Sequence, residues 1–157
     1  MDEIVWAVNP RHDTLESLLN YLEKFAQDFL HTADIRCRLD LPEEFPAWPL
    51  TAEVRHNLFL AFKEALNNAV RHAAASEVRV ALTLETGSLA LAVEDNGCGF
   101  SAGARAGAAS TADRFASGDG LENMRRRLAR VGGHCEIHSA PGQGTKVVFR
   151  IKAQPNP

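Results

Sequence analysis

The chain predicts an α+β fold, a two-layer sandwich in which helices cover one face of a mixed, mainly antiparallel sheet. Three observations predict it. Five segments carry strand-like patterning, and most of them pair off around turn signals. Three segments carry helical periodicity. The 157 residues are about one domain's length and need no disulfide staple to hold a core.

From Thr14 to about His31, apolar residues fall at 15, 18, 19, 22, 25, 26, 29 and 30. That is the spacing of an amphipathic helix, with Asp13 or Thr14 as its cap. "DIRCRLDL" then alternates as a strand, with Ile35, Cys37, Leu39 and Leu41 on one face. "PEEFPAWP" holds three prolines and reads as a loop. A long helix follows from about Thr51 to Ala75. "EVRVALTLE" and "SLALAVED" form a hairpin around Thr86-Gly87. "GLENMRRRLARVGG" is a helix from about Leu121 to Val131, stopped by Gly132 and Gly133. "HCEIHSA", the turn "PGQG" and "TKVVFRIK" make a closing hairpin. "AQPNP" is a tail.

Composition narrows the function classes. A net charge of −3 and no basic stripe argue against nucleic-acid binding. "MRRRLAR" is basic, but short and helically spaced, as on a solvated helix face. Cys37, Cys98 and Cys135 are far apart, without a C-x-x-C, which fits free thiols in a reducing, cytoplasmic compartment. No apolar run approaches the about 20 residues needed to span a bilayer. "MDEIVWAVNPR" reads as the last turn of a preceding helix stopped by Pro10.

On the long helix, at about 100° per residue, Leu58, Phe62, Ala65, Leu66 and Ala69 group on one side. Asn57, Glu64, Asn68 and Arg71 group on another, with His72 at the margin. Glu64 and Asn68 are one turn apart, so both reach a single small object. A hydrated Mg²⁺ is one such object, with Asn68 as its protein ligand and phosphates as others. Glu64 would then orient or deprotonate an attacking group. The same spacing also serves an exposed face carrying an (i, i+4) hydrogen bond of about 0.2–0.5 kcal/mol. Two adjacent amides in "LNNA" fit that plain reading poorly, because Asn is a weak helix former.

"LALAVEDNGCGF" is a strand ending on an acid and then turning. Gly97 and Gly99 carry no Cβ to block a flat ligand. The Asp95 carboxylate suits an exocyclic amine such as that of adenine. An ordinary Asp-Asn-Gly turn is the plainer reading. "GDGLENM" places Gly118 and Gly120 at a helix start, where backbone N–H groups bind anions. Between the two clusters, 13 of the 19 residues 101–119 are Ala, Gly or Ser. A connection longer than about 12–15 residues is functional or unstructured. Its composition suits a lid over a ligand, pinned when closed by Phe115, and equally a plain linker. Thr145 opens the last strand, where its hydroxyl can reach a base or simply suit the strand.

In order, "EALNNAVRHA", "DNGCGF", "GDGLENMRRRL" and "GQGTKVVF" resemble the N box, G1 box, G2 box and terminal Thr strand of the GHKL ATPase superfamily. Sensor histidine kinases, the DNA gyrase B subunit, MutL proteins and heat-shock-90 chaperones share it. "GLENMRRRLARVGG" with "CEIHSAPGQGT" most resembles the ATP-binding catalytic domain of NarL/DesK-like sensor histidine kinases. The resemblance covers essentially the whole chain.

It implies the Bergerat ATP-binding fold and, as cofactors, ATP with Mg²⁺. It implies Asn68 as the Mg²⁺ ligand and Glu64 as the carboxylate that polarises the attacking histidine. Arg71 and His72 would approach the phosphates, and Asp95 would accept from the adenine amine. Gly97 and Gly99 would shape the adenine pocket. Gly118, Gly120 and Leu121 would border the phosphates, and Thr145 would sit near the base. Residues 1–12 would end the preceding dimerisation helix and linker, 13–153 would be the catalytic domain, and 154–157 a tail. The implied partners are the phosphoacceptor helices of a parent kinase and, indirectly, a response regulator. No nucleic acid and no membrane contact are implied. The acceptor histidine would lie upstream of this chain. His12 follows Pro10 in a loop, and His134 and His138 share a strand face without further metal ligands. An inactive nucleotide-binding regulatory module and an anti-sigma-factor-type serine kinase remain alternatives.

Overall fold

A computed structural model describes residues 14–43, 50–71, 75–85, 87–97 and 119–152. The first helix, α1 (Leu15–Thr32), is capped by Thr14, whose hydroxyl accepts from the Ser17 N–H at 3.2 Å. Leu15, Leu18, Leu19, Leu22, Ala26 and Leu30 are buried along one stripe. The helix ends in a Schellman motif. The Asp34 N–H donates to His31 O at 3.0 Å and the Ile35 N–H to Leu30 O at 2.8 Å. Asp34 takes the left-handed conformation at φ 60, a role more often given to Gly.

That motif shortens the first strand. β1 runs from Arg36 to Asp40 rather than from Asp34, because residues 34 and 35 are spent closing the helix end. The next helix, α2 (Ala52–Arg71), is capped by Thr51, whose hydroxyl accepts from the Val54 N–H at 3.2 Å. Its predicted last residues, His72 to Ala74, lie outside the described residues. β2 (Glu77–Glu85) and β3 (Ser88–Asp95) form the expected hairpin, with Gly87 at φ 75 in the turn. α3 (Asp119–Arg130) starts two residues before Leu121 and ends in a second Schellman motif at Gly132 and Gly133. β4 (His134–Ser139) and β5 (Thr145–Lys152) close the sheet.

The strand order is β1-β2-β3-β5-β4. Only the β1–β2 pair among these is parallel, joined by the crossover through α2. The helices lie on one face: α1 packs on β1 and α2, α2 on β3 and α3, and α3 on β4 and β5. Val78, Val80 and Leu82 face the helices beside Leu89, Leu91 and Val93, then Val147, Phe149 and Ile151. The opposite face carries charged ladders such as Arg38, Arg79, Glu94 and Lys146 across four strands. Arg79 reaches Asp40 and Glu94 there, and Arg150 reaches Glu136 and Glu85. This alternation is what a half-covered sheet requires.

α2 is the central helix. Leu58, Phe62, Ala65, Leu66 and Ala69 are buried as the periodicity predicts, and so are Phe59 and Ala61. Phe59 meets Tyr21 and Phe25 of α1 edge to face, with ring centroids 5.3 and 5.2 Å apart. Arg55 is also buried, and its Nη1 donates to the Leu50 carbonyl at 2.6 Å, tying the helix entry to the preceding segment. Phe62 is fully enclosed. Phe62→Ala is expected to lower unfolding stability by about 3–5 kcal/mol in urea melts. A loss below about 1 kcal/mol would mean this face of α2 is not core.

Candidate functional site

Asp95 closes β3 and is 8% exposed. Its partner across the ladder is Thr145, the first residue of β5. The side chain of Asp95 is held by backbone: the Gly97 N–H donates to Oδ1 at 2.8 Å and the Thr145 N–H to the same oxygen at 3.3 Å. Both donors among the described residues converge on Oδ1. Burial pushes the Asp95 carboxyl above its usual value, the two backbone hydrogen bonds pull against that, and Glu94 adds to the rise.

Gly144 explains how β5 comes so close. It sits at φ 77, and a Cβ there would lie 2.1 Å from the Asp95 carbonyl oxygen. Thr145 is buried, and its hydroxyl lies 2.9 Å from the Ser139 hydroxyl. Ser139 lies within hydrogen-bond reach of the Gly144 carbonyl at 3.1 Å as well as of Thr145, so either hydroxyl can donate between the two side chains. An open groove of about 530 Å³ past Ser139, Gln143, Gly144 and Thr145 is also lined by Glu94, His138 and Lys146, so it opens toward the charged face of the sheet.

The other candidate residues are on α2, which packs on β3. Asn68 is 7% exposed, and its Nδ2 is buried without a hydrogen-bond partner. A buried, unpaired amide costs about 1–3 kcal/mol; among the described residues His56 Nδ1 and Asn57 Oδ1 are buried in the same unpaired state. Glu64, one turn earlier, is half-buried. It lines a cavity of about 160 Å³ between α2 and α3, together with Lys63, Asn67, Asn123 and Arg127. Arg71 is exposed at the last described turn of α2. Asn57, expected on the same stripe, is instead buried, and its Nδ2 donates to the Glu53 carbonyl at 2.9 Å. It belongs to the helix entry.

The other expected site residues divide. Gly97 contributes its N–H to Asp95. Gly120 and Leu121 lie in the first turn of α3. His72, Gly99, Gly118 and the lid with Phe115 fall outside the described residues. Two residues escaped the sequence reading. Ser139 pairs its hydroxyl with that of Thr145, and Asn96 bonds to Ser76 and Glu77. His134 and His138 both approach the Glu136 carboxylate, at 3.1 and 3.4 Å, where Arg150 also binds. Among the described residues no three His, Cys, Asp or Glu side chains form a metal-holding group. The unpaired Asn68 atom is the amide nitrogen, a donor that suits an anion or water; a Mg²⁺ at Asn68 would take the amide oxygen instead.

Residues 53–155 match the family of histidine kinase-, DNA gyrase B- and HSP90-like ATPases. The chain belongs to that family, and membership implies an ATP site. The sensor histidine kinase LiaS of Bacillus subtilis strain 168 is 32% identical over 118 residues, covering 74% of this chain and 30% of its own. The sensor histidine kinase YhcY of the same strain is 35% identical over 102 residues, covering 65% of this chain and 25% of its own. The chain spans under a third of the length of these curated relatives. In fold it is similar to the histidine kinase domain of the blue-light activated histidine kinase of Erythrobacter litoralis EL346. That match has a TM-score of 0.70 at 19% identity, over 96% of this chain and 69% of that one. It is also similar in fold to the histidine kinase AdeS of Acinetobacter baumannii, with a TM-score of 0.64 at 17% identity, over 90% of this chain and 66% of that one.

Two outcomes are expected. Gly144→Ala should destabilise by about 1–3 kcal/mol from the backbone conformation alone, and more from the clash; a wild-type melting temperature would contradict the close approach. Asp95, whose carboxyl is raised in the fold, favours the folded state most when protonated. Its contribution is full below the ordinary value of 3.8 and is lost as pH rises through the raised one. Without nucleotide, Asp95→Asn should therefore be more stable than wild type at pH 7, with the difference shrinking on acidification toward pH 4 (melts from pH 4 to 8). A difference independent of pH would contradict it.

Proposed function

We propose that this chain is the ATP-binding catalytic domain of a two-component sensor histidine kinase. It transfers the γ-phosphoryl group of MgATP to a histidine on dimerisation helices outside this chain. The observation that carries the reading is the buried Asp95 carboxylate, fixed by two backbone N–H groups on one oxygen. A fixed acceptor at the end of a strand suits the adenine amine. The unpaired Asn68 amide supports it on the phosphate side. The family membership and the sensor-kinase relatives point the same way. The wording of α3 favours a NarL/DesK-like kinase, and the functional domain is taken as 13–153. A cytoplasmic location and a response regulator as downstream partner go with that reading.

Each residue has a definable task. Asp95 accepts from the amine, and the Thr145 hydroxyl sits near the same base. Asn68 would hold Mg²⁺ through its amide oxygen. When bound, the ion neutralises charge on the phosphate oxygens. Arg71 would approach the phosphates, and Gly120 and Leu121 in the first turn of α3 would border them; His72 and Gly118, given the same task by the resemblance, lie outside the described residues. Glu64 accepts the N–H of the incoming imidazole, so that its other nitrogen is the better nucleophile. That nitrogen bonds to the γ-phosphorus as the bond to the ADP oxygen breaks. Positioning and electrostatics supply most of the rate.

MgATP at 100 times its Kd should stabilise the chain by about 2.7 kcal/mol in a thermal melt. Asn68→Ala should abolish the Mg²⁺-dependent part of that shift while keeping the fold. Added dimerisation helices should become labelled by [γ-³²P]ATP in an acid-labile bond, and Glu64→Gln should cut that rate by about 100-fold or more while ATP still binds. Acid-stable label on serine would favour the serine-kinase alternative, and binding without any transfer would favour a regulatory module.

A further inference from the structure

Asn96 follows Asp95 and is exposed, and a turn residue would suffice at that place. Its side chain does something else. Oδ1 accepts from the backbone N–H of Ser76 at 2.9 Å and of Glu77 at 3.0 Å. Nδ2 donates to the Ser76 hydroxyl at 2.9 Å. The backbone N–H of Asn96 donates to the Glu77 carbonyl at 3.3 Å. Two N–H donors facing one atom fix that atom as the oxygen, so the orientation of the amide is determined by its surroundings. The partners lie 19 and 20 residues away in sequence, so these bonds do not shape a local turn.

The amide behaves as an extra peptide group. It extends the β2–β3 ladder one step past the Val78–Asp95 pair. Ser76 also accepts from the Arg36 N–H through its carbonyl, at 2.9 Å, so the same junction receives β1. Ser76 stands in the segment that returns from α2, the helix that carries Asn68. The neighbouring Asp95 is meanwhile held from the other side by Thr145. Asn96 thus joins the turn that aims the Asp95 carboxylate to the return from the helix that holds Asn68.

We infer that Asn96 is a positioning residue for nucleotide binding: it fixes the Asp95 turn against the α2 return, and so sets where adenine sits relative to the phosphate side. It touches neither. Serine or alanine cannot bridge to Ser76 and Glu77 together; aspartate keeps the two acceptor contacts and lets the Ser76 hydroxyl donate instead.

The inference rests on the ATP reading above, and the test separates the two. MgATP and inorganic triphosphate are titrated calorimetrically into the wild-type chain, Asn96→Ala, Asn96→Asp and Asp95→Asn, with amide exchange on the first three. Asn96→Ala should weaken MgATP by about tenfold, and triphosphate by less than about threefold. It should speed exchange at Ser76 and Glu77 by about tenfold or more, leaving Val147 and Phe149 unchanged. Asn96→Asp should return MgATP affinity to within about threefold of wild type. Unchanged MgATP affinity in Asn96→Ala, or an equal loss in Ala and Asp, overturns the inference. If Asn96→Ala gives no cooperative melt, Asn96→Ser takes its place under the same criteria. Asp95→Asn reads the parent proposal: equal loss of MgATP and triphosphate there refutes adenine recognition at Asp95, whatever Asn96 does.

Discussion

The site depends on how closely β5 approaches the end of β3. Gly144 passes the Asp95 carbonyl where no side chain fits, and the next residue, Thr145, then places its N–H on the Asp95 carboxylate. A carboxylate at 8% exposure needs compensation, and here it comes from the main chain. The Thr145 N–H is fixed by the ladder register and the Gly97 N–H by the turn that follows β3, so the two hold Oδ1 from both sides.

The helix layer supplies the other candidate residues. α2 is wrapped by the sheet, α1 and α3, and its aromatic contacts with α1 fix its rotation about its own axis. Rotation decides which side chains face the core and which face the ligand. With Phe59, Phe62 and Leu66 buried, Asn68 is carried into a sheltered position and Glu64 to its margin. The unsatisfied Asn68 amide is therefore a consequence of core packing one turn away.

Local signals were legible in the sequence. Thr14 and Thr51 cap their helices, Gly132 and Gly133 stop α3, and Gly87 turns the β2–β3 hairpin. Each rests on a residue's own conformational preference, which travels with the sequence. The apolar side of α2 was legible for the same reason. Asp34 was not, because an acid in the left-handed region is stabilised by the helix end and by Ile35, not by its own preference. Arg55 was not, because its burial depends on a carbonyl that the fold brings to it. Asn96 and Ser139 were read as turn and strand residues, since their roles appear only once β2 lies beside β3 and β4 beside β5. The candidate site was thus visible as residue types in order, while the contacts that orient those residues were not.

The central claim is that Asp95 and Asn68 are two walls of one nucleotide site. Nitrogen-15 correlation spectra of the chain, recorded through a titration with adenosine and then with MgATP, address it most directly. The account predicts that adenosine shifts the Gly97 and Thr145 amides but not the Asn68 side-chain amide, and that MgATP shifts all three along one saturation curve. Movement of the Asn68 amide with a separate midpoint, or a saturable MgATP response that leaves Gly97 and Thr145 unmoved, would contradict it.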